Sequence, residues 1–520
     1  MTASRPTTLP LDGDNLTLAH AEAILSGGVE RLVLTSAARE RVILSRQCIT
    51  DLLAAGSTIY GVNTGFGKLS NTRVAADDAL ALQENLLRSH AVGRGPLLSA
   101  SVCRLALALR AQALAKGFSG VTTGLLDAVL ALFNAGIVPA IPCQGSVGAS
   151  GDLAPLAHLA LLLIGEGRAI VQRPAHGWRT IPGRVALRRG RLEPYRLQAK
   201  EGLALINGTQ ISTALLAEAV IRARRLARTA DVIGAMTVEA TKSSQKPFDP
   251  RIQAARPHPG QVACAGNLRR LLADSEVMKS HADCMKVQDA YSLRCMPQVH
   301  GTFRDAVAYV EGVVEREMNS ATDNPLVFSD TREVISGGNF HAQPIGLAAD
   351  VLSAAAADMA SISERRVENL VNPDLSGLPG FLTPQPGLNS GMMIVQVLAA
   401  AVVSEAKSNA FPASVDSIPT SANREDHVSM ATLAARKARR AVALLSRVLA
   451  CEALCAAQGL EFHRPLRPGS GVNGAYQLLR KHVEPLTRDR ELHQDLAATE
   501  RLLRSNSLLI AAEVECGPLE

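Results

Sequence analysis

Gly145-Ser-Val-Gly-Ala-Ser-Gly-Asp-Leu-Ala-Pro-Leu-Ala-His158 is the stretch on which the reading of this chain turns. At its centre, Ala149-Ser150-Gly151 joins the smallest side chains to a hydroxyl, directly ahead of an apolar run of helical character. A glycine at 151 leaves its amide nitrogen unshielded, and Ala149 barely screens its own carbonyl. A sharp bend brings that nitrogen onto that carbonyl and closes a five-membered ring, while loss of water from Ser150 leaves an exocyclic alkene. The product is an electrophile made from the backbone itself. Taken alone, the stretch also reads as a tight glycine-rich turn capping a helix, with Asp152 near the N-terminus and Pro155 in the first turn. A tripeptide by itself does not separate the two readings.

Composition narrows the setting. A chain of 520 residues can hold several small domains or one large helical body. It is 47% apolar but only 3% aromatic, so Ala and Leu fill the core, which suits helix–helix packing better than a β-sandwich. Net charge is +6, and the Arg-rich patches Arg188-Arg-Gly-Arg191 and Arg436-Lys-Ala-Arg-Arg440 lack aromatic neighbours. They read as solvated faces, not a nucleic-acid surface. The nine cysteines are odd in number and scattered, without a Cys-x-x-Cys pair. Cys451 and Cys455 lie one helical turn apart but lack a nearby His or second pair, so they read as reduced core thiols rather than zinc ligands. No ligand cluster asks for a metal. The first residues form no apolar signal core, and the apolar run 153–164 contains His158 and falls short of the ~20 residues a membrane helix needs. The expectation is a soluble, cytoplasmic protein without membrane or nucleic-acid partners.

Along the chain, residues 15–120 alternate helical stretches with a Gly-rich loop at 61–67. Residues 168–199 carry Pro, Gly, Arg and alternating Val/Leu, which predicts a short hairpin-like β excursion. From 200 onward, apolar residues at helical spacing predict long helices over 203–233, 347–371, 392–410 and 428–459. The fold class is mainly α, a bundle of long helices. Two domains are expected: 1–200, carrying the Gly-rich lid and the tripeptide, and 201–520, the long-helix bundle with a C-terminal helical part.

Five further segments stand in order around the tripeptide. They are Tyr60-Gly-Val-Asn-Thr-Gly-Phe-Gly67, Gln83-Glu-Asn-Leu-Leu-Arg-Ser-His-Ala-Val-Gly93, Lys200-Glu-Gly-Leu-Ala-Leu-Ile-Asn-Gly-Thr-Gln210, Gln288-Asp-Ala-Tyr-Ser-Leu-Arg294 and Thr420-Ser-Ala-Asn-Arg-Glu-Asp-His-Val-Ser-Met430. Arg256-Pro-His-Pro-Gly-Gln261, Asp323-Asn-Pro-Leu326 and Gly337-Gly-Asn-Phe-His341 add to them. From about residue 15 to about 510 the chain resembles the aromatic amino acid ammonia-lyase and aminomutase family, and within it the histidine enzymes. The resemblance implies a long-helix bundle of the fumarase/aspartase-like type. It also implies a homotetramer whose active sites are built from loops of more than one subunit. Ala149, Ser150 and Gly151 would mature autocatalytically into a methylidene-imidazolone, with no diffusible cofactor and no metal.

Such a group answers a chemical difficulty. Removing ammonia from an α-amino acid takes a weakly acidic β-proton and a poor leaving group together, and an electrophile that captures the amine eases both. Tyr60 matches the base; a free tyrosine has a pKa of ~10, so the site must favour its phenolate. Alone, a Tyr beside a Gly loop reads as packing. Arg294 matches the substrate-carboxylate position, where a guanidinium fork pairs bidentately. Asn207, Gln288 and Tyr291 match polar positions around the prosthetic group and the substrate's amino and carboxylate groups, and Phe340 an aromatic wall. Ser89-His90 stands where tyrosine-specific relatives carry His-Leu and phenylalanine-specific ones Phe-Leu, and Glu425 matches the carboxylate aimed at an imidazole. Together His90 and Glu425 would hold both ring nitrogens, which a phenyl ring leaves unpaired at about 1–3 kcal/mol per group. Arg424, Met296, His300 and Gln343 depart from the histidine pattern.

The expected activity is elimination of ammonia from L-histidine to give trans-urocanate. Alternatives on the same electrophile are a tyrosine or phenylalanine ammonia-lyase, or an aromatic amino acid 2,3-aminomutase. From another class comes a catalytically silent helical paralogue with an uncyclised backbone. The sequence leaves open whether amine or aromatic ring attacks the electrophile.

Overall fold

The protein is seen in a computed structural model that describes residues 8–65, 72–75, 78–173, 177–282 and 287–520. Phe66 and Gly67 of the Gly-rich segment lie outside the described residues, as do 174–176 within the β excursion and Cys284. Helices dominate, and the strands are short and grouped in small sheets. Two compact units emerge: residues 1–219, 311–350 and 412–436 form the first, and 220–310, 351–411 and 437–520 the second.

In the first unit, helix Ala100–Ala115 is buried along nearly its whole length, with apolar residues on all its faces and Arg110 and Gln112 buried among them. Ser99 caps it by accepting from the Val102 amide. Helix Thr123–Asn134 begins in the same way, with Thr122 Oγ1 accepting from the Leu125 amide at 3.1 Å. The β excursion is present as a hairpin of Arg168–Arg173 and Gly177–Pro182, in register from Arg168 opposite Pro182. It ends in a helix, Gly183–Arg189, that alternating Val/Leu did not announce.

Three of the four long helices expected stand close to their predicted bounds, as Gln343–Val371, Met393–Asn409 and Ala431–Glu461. The fourth differs. In place of one helix over 203–233 there are two, Glu201–Ile206 and Gln210–Ala240, separated by Asn207-Gly208-Thr209. Gly208 has φ +155°, outside helical space, and its carbonyl accepts from the Asp152 amide at 2.7 Å rather than from its own helix. A further long helix, Met296–Met318, carries Pro297 in its first turn, where proline costs nothing, and Gly301 in its interior. Helices Gln343–Val371 and Ala431–Glu461 are long and apolar enough to cross a membrane, although no longer run than 153–164 was expected. Most of each apolar window is buried within the protein, the mark of a core helix.

Candidate active site

The tripeptide stretch is held from several sides within the first unit. The Met430 amide donates to Val147 O at 2.7 Å, and Ser429 Oγ and the Ala342 amide donate to Gly148 O at 3.0 and 3.2 Å. Ser146 Oγ donates to Gly151 O at 3.3 Å and accepts from the Gly148 amide at 3.1 Å. Gly151 sits at φ +70° beside Gly208 in a parallel bridge. A side chain at 151 would place its Cβ 2.1 Å from Gly208 O, so only glycine fits there. A bent loop, an unshielded nitrogen at 151 and a small residue at 149 are what ring closure requires, and these residues fit a self-formed prosthetic group.

Asp152, the residue before helix Leu153–Leu163, makes no capping bond to that helix. Its carboxylate instead accepts from Ser212 Oγ and Thr432 Oγ1, each at 2.6 Å, from Ser146 Oγ at 3.2 Å and from the Ser212 amide at 2.8 Å. Burial pushes its pKa up, against the pull of those bonds. The hydroxyl-rich cradle thus ties segments near 146, 212 and 432 around one acid.

A cavity of about 550 Å³ opens beside the tripeptide, and Tyr60, Ser89, His90, Ser150, Asn207, Phe340 and Glu425 all line it. Tyr60 is carried on a turn held by its own side chains: Asn63 Oδ1 accepts from the Ile59 amide at 2.8 Å, and Thr64 Oγ1 from the Gly61 amide at 3.0 Å. Buried Gln83 ties that turn to the rest of the site. Its Nε2 donates to Gly61 O at 3.3 Å, and its Oε1 accepts from the Leu203 amide at 3.2 Å. Ser89 and His90 close helix Ala79–His90, with Ser89 Oγ 3.0 Å from His90 Nδ1. Burial lowers the His90 pKa, while the Leu86 backbone and the charge of Glu425 pull it back only in part. His90 is therefore biased toward neutral imidazole.

Glu425 has both oxygens engaged. Oε1 accepts from Ser150 Oγ at 2.9 Å, and Oε2 from Thr420 Oγ1 at 2.6 Å. Arg424 next to it is exposed, and the carboxylate is satisfied by hydroxyls. Asn207 spends both amide hydrogens, on Asp323 Oδ1 and Asn324 O, each at 3.1 Å. The orientation follows from the partners, since both can only accept. What Asn207 retains for the cavity is its acceptor oxygen. Behind it, Asp323 Oδ2 pairs with fully buried Lys200 Nζ at 2.7 Å. Lys200, Asp323 and Thr420 stand in three separate stretches of the sequence. Nothing local in the sequence announces that they meet.

Gln288, Tyr291 and Arg294 do not line that cavity; they belong to the second unit. Gln288 and Arg294 border a separate cavity of about 440 Å³ with Lys246, Val287 and Cys295. The Arg294 guanidinium lies 4.8 Å over the Tyr291 ring, and its buried Nε has no hydrogen-bond partner. Tyr291 itself is largely exposed.

The second unit also explains two of the departures. His300 Nδ1 lies 2.7 Å from Asp231 Oδ1, and its Nε2 lies 3.2 Å from Arg366 Nη1. A guanidinium can only donate, so Nε2 accepts and Nδ1 carries the proton. Cys264 Sγ and Asn267 Nδ2 also donate to Asp231, at 3.2 and 2.9 Å, and Arg304 pairs with it. Asp231, Cys264 and His300 are the one group among the described residues with metal-ligand spacing. Asp231 and His300 Nε2 already accept hydrogen bonds, Cys264 donates its proton to Asp231, and two guanidinium groups stand against them, so the group is a polar core. Met296 is buried, its sulfur over Gly234. The described cysteines are all free thiols, most of them buried.

Known proteins resemble this chain along nearly its whole length. The profile of the family "Aromatic amino acid lyase" matches residues 16–481. The chain is 55% identical to a histidine ammonia-lyase of Anaeromyxobacter sp. (strain K), over 96% of this chain and 99% of that one. Among solved structures, the histidine ammonia-lyase of Trypanosoma cruzi superposes with a TM-score of 0.90 at 42% identity, covering 98% of this chain and 95% of the other. The tyrosine aminomutase of Streptomyces globisporus superposes with a TM-score of 0.93 at 34% identity, covering 99% and 100%. The chain belongs to the aromatic amino acid lyase family.

Proposed function

We propose that this chain is a carbon–nitrogen lyase that eliminates ammonia from L-histidine to give trans-urocanate, using a methylidene-imidazolone formed from Ala149, Ser150 and Gly151. The observation that carries the reading is the meeting of His90 and Glu425 with Ser150 and Tyr60 around one cavity. When formed, the group supplies an electrophilic centre that turns the amine into a better leaving group. The chain's own residues do the rest. Glu425 and neutral His90 hold the two imidazole nitrogens, Phe340 forms a wall, and Tyr60 removes the β-proton. Asn207 presents an acceptor oxygen to the substrate's amine, because its amide hydrogens are already spent.

The substrate carboxylate falls to Arg294, with Gln288 and Tyr291 beside it, supplied from another copy of the chain in a homotetramer. The unpartnered buried Nε of Arg294 and the exposed ring of Tyr291 support that assignment. The protein would work in the cytoplasm, without a diffusible cofactor or metal. Histidine is favoured over tyrosine or phenylalanine because a phenyl ring would strand a carboxylate and an imidazole.

The test offers L-histidine, L-tyrosine and L-phenylalanine separately to purified protein and follows ammonia together with the ultraviolet absorbance of the unsaturated acid. Release from histidine alone is expected. Release from tyrosine or phenylalanine alone discards the imidazole clamp, and silence with all three discards the lyase.

A further inference from the structure

Glu425 is placed for a task that precedes any substrate. Its carboxylate stands 2.9 Å from Ser150 Oγ, the oxygen that must leave if residues 149–151 are to become an electrophile. The turn that aims it is strained: Ser421, Ala422 and Asn423 take φ values of +50°, +54° and +63° in succession. Three consecutive left-handed residues without a glycine are costly, and structure that carries such a cost tends to be functional. The strain folds the chain so that Thr420 and Glu425 pair through their backbones, at 2.9 and 3.4 Å, while Thr420 Oγ1 fixes Oε2 at 2.6 Å. The oxygen not fixed by Thr420 is the one on Ser150.

We propose that Glu425 is the acid–base group that dehydrates Ser150 during maturation, and that the same carboxylate turns to substrate only once the hydroxyl has gone. This rests on the reading of residues 149–151 as a prosthetic-group precursor. Ring closure forms the bond from Gly151 N to the Ala149 carbonyl carbon. It expels that carbonyl oxygen as a first water, with the amide protons of Gly151 and Ser150. In the second dehydration the Cα proton of Ser150 passes to the Glu425 carboxylate, and the Cα–H electron pair becomes the Cα=Cβ bond. The Cβ–Oγ bond breaks with its electrons on Oγ, and Glu425 returns the proton to it. Water leaves, the carboxylate is regenerated, and nothing is oxidised or reduced. Hydroxide is a poor leaving group, and a positioned acid–base group accelerates such a step by about 10²–10⁴-fold. Departure of Oγ also frees Oε1 to accept from an imidazole N–H.

Intact-protein mass spectrometry tests this without any assay of activity. Wild-type protein should be two waters lighter than its sequence. Glu425→Gln, which keeps an acceptor but cannot carry the proton, should retain the Ser150 hydroxyl and be at most one water lighter. Its second loss should be slowed about 10²–10⁴-fold in a time course after synthesis. A folded Gln variant that loses both waters at the wild-type rate overturns the proposal and leaves Glu425 acting on substrate alone. A wild-type protein with its full sequence mass overturns instead the parent reading of the tripeptide. Should the Gln variant fail to fold, Glu425→Asp decides: slowed loss of the second water supports the proposal, and loss at the wild-type rate overturns it.

Discussion

Two buried acids, one in each unit, are stabilised by opposite means. Asp152, beside the tripeptide, is held by three hydroxyls and a backbone amide, and burial keeps its pKa raised. Asp231, in the second unit, also suffers burial, but Arg304 and the bonds from His300 and Asn267 overcome it and hold its pKa at about 2. Glu452 combines both kinds of partner, with Arg366 donating to both its oxygens at 2.6 and 2.8 Å and the Thr237 and Ser363 hydroxyls adding bonds at 2.7 and 2.6 Å. A carboxylate clamped by a guanidinium is a fixed anion. One surrounded by hydroxyls sits among groups that can give or take protons without leaving a bare charge. Glu425, held by Ser150 and Thr420, belongs to the hydroxyl-held kind, and it is the one at the cavity.

Chemistry can accordingly be removed from the first unit without cost to the fold, and fold from the second by single charges. Ser150→Ala should lower the elimination rate by about 10³-fold or more, the scale of losing a covalent catalytic group, while thermal unfolding stays near wild type. Full activity in that variant would end the electrophile reading. Arg366→Met leaves Glu452 buried without a cation, held only by the Thr237 and Ser363 hydroxyls, and urea unfolding should report a loss of about 3–5 kcal/mol. Replacing both partners by apolar residues should recover much of it, and a single variant as stable as wild type would break the comparison at its second term.

Glu239 sharpens the contrast, because it is an acid in the second unit held by the Ser275 side chain and the Gly469 amide. Burial raises its pKa from 4.5 to about 7 against those bonds. A carboxyl with a raised pKa favours the folded state most below its unfolded value, and that advantage is lost as pH rises through about 7. Glu239→Gln should therefore gain on wild type between pH 5 and pH 8, by about 3 kcal/mol at most. Parallel pH dependence in the two proteins would show that Glu239 is charged in the fold. The smallest effect is expected of Ser89→Phe combined with His90→Leu. Removing the imidazole partner should shift the ratio of kcat/KM toward phenylalanine by about 1–3 kcal/mol, and an unchanged preference for histidine would remove His90 from substrate choice.

How much of this was legible in the sequence follows from what each feature depends on. Helical spacing alone located Gln343–Val371 and Ala431–Glu461, since apolar periodicity is a local property. The same spacing ran straight through Asn207-Gly208-Thr209, where the helix is broken by a carbonyl committed to Asp152 far away in the chain. The residues bordering the main cavity came from short motifs that carry their chemistry on their face, Tyr60 and Ser150 among them. Their supports did not. Gln83 bridges the Tyr60 turn to Leu203, Asp323 orients Asn207 against Lys200, and Thr420 steadies Glu425, all by pairings that only the folded chain creates. Nor could one sequence read alone say that Gln288, Tyr291 and Arg294 would stand in a different unit from the cavity.

The ties on the tripeptide loop also set a schedule. Val147 O is bonded by the Met430 amide, Gly148 O by Ser429, and Asp152 by Thr432, so the bend at 149–151 is complete only when residues 429–432 have arrived. A ribosome delivers those residues long after the tripeptide has emerged. On the proposed maturation, a nascent chain stopped short of residue 429 should keep its full mass however long it waits. The missing waters would then serve as a time stamp, written into the protein once its late segments have come home.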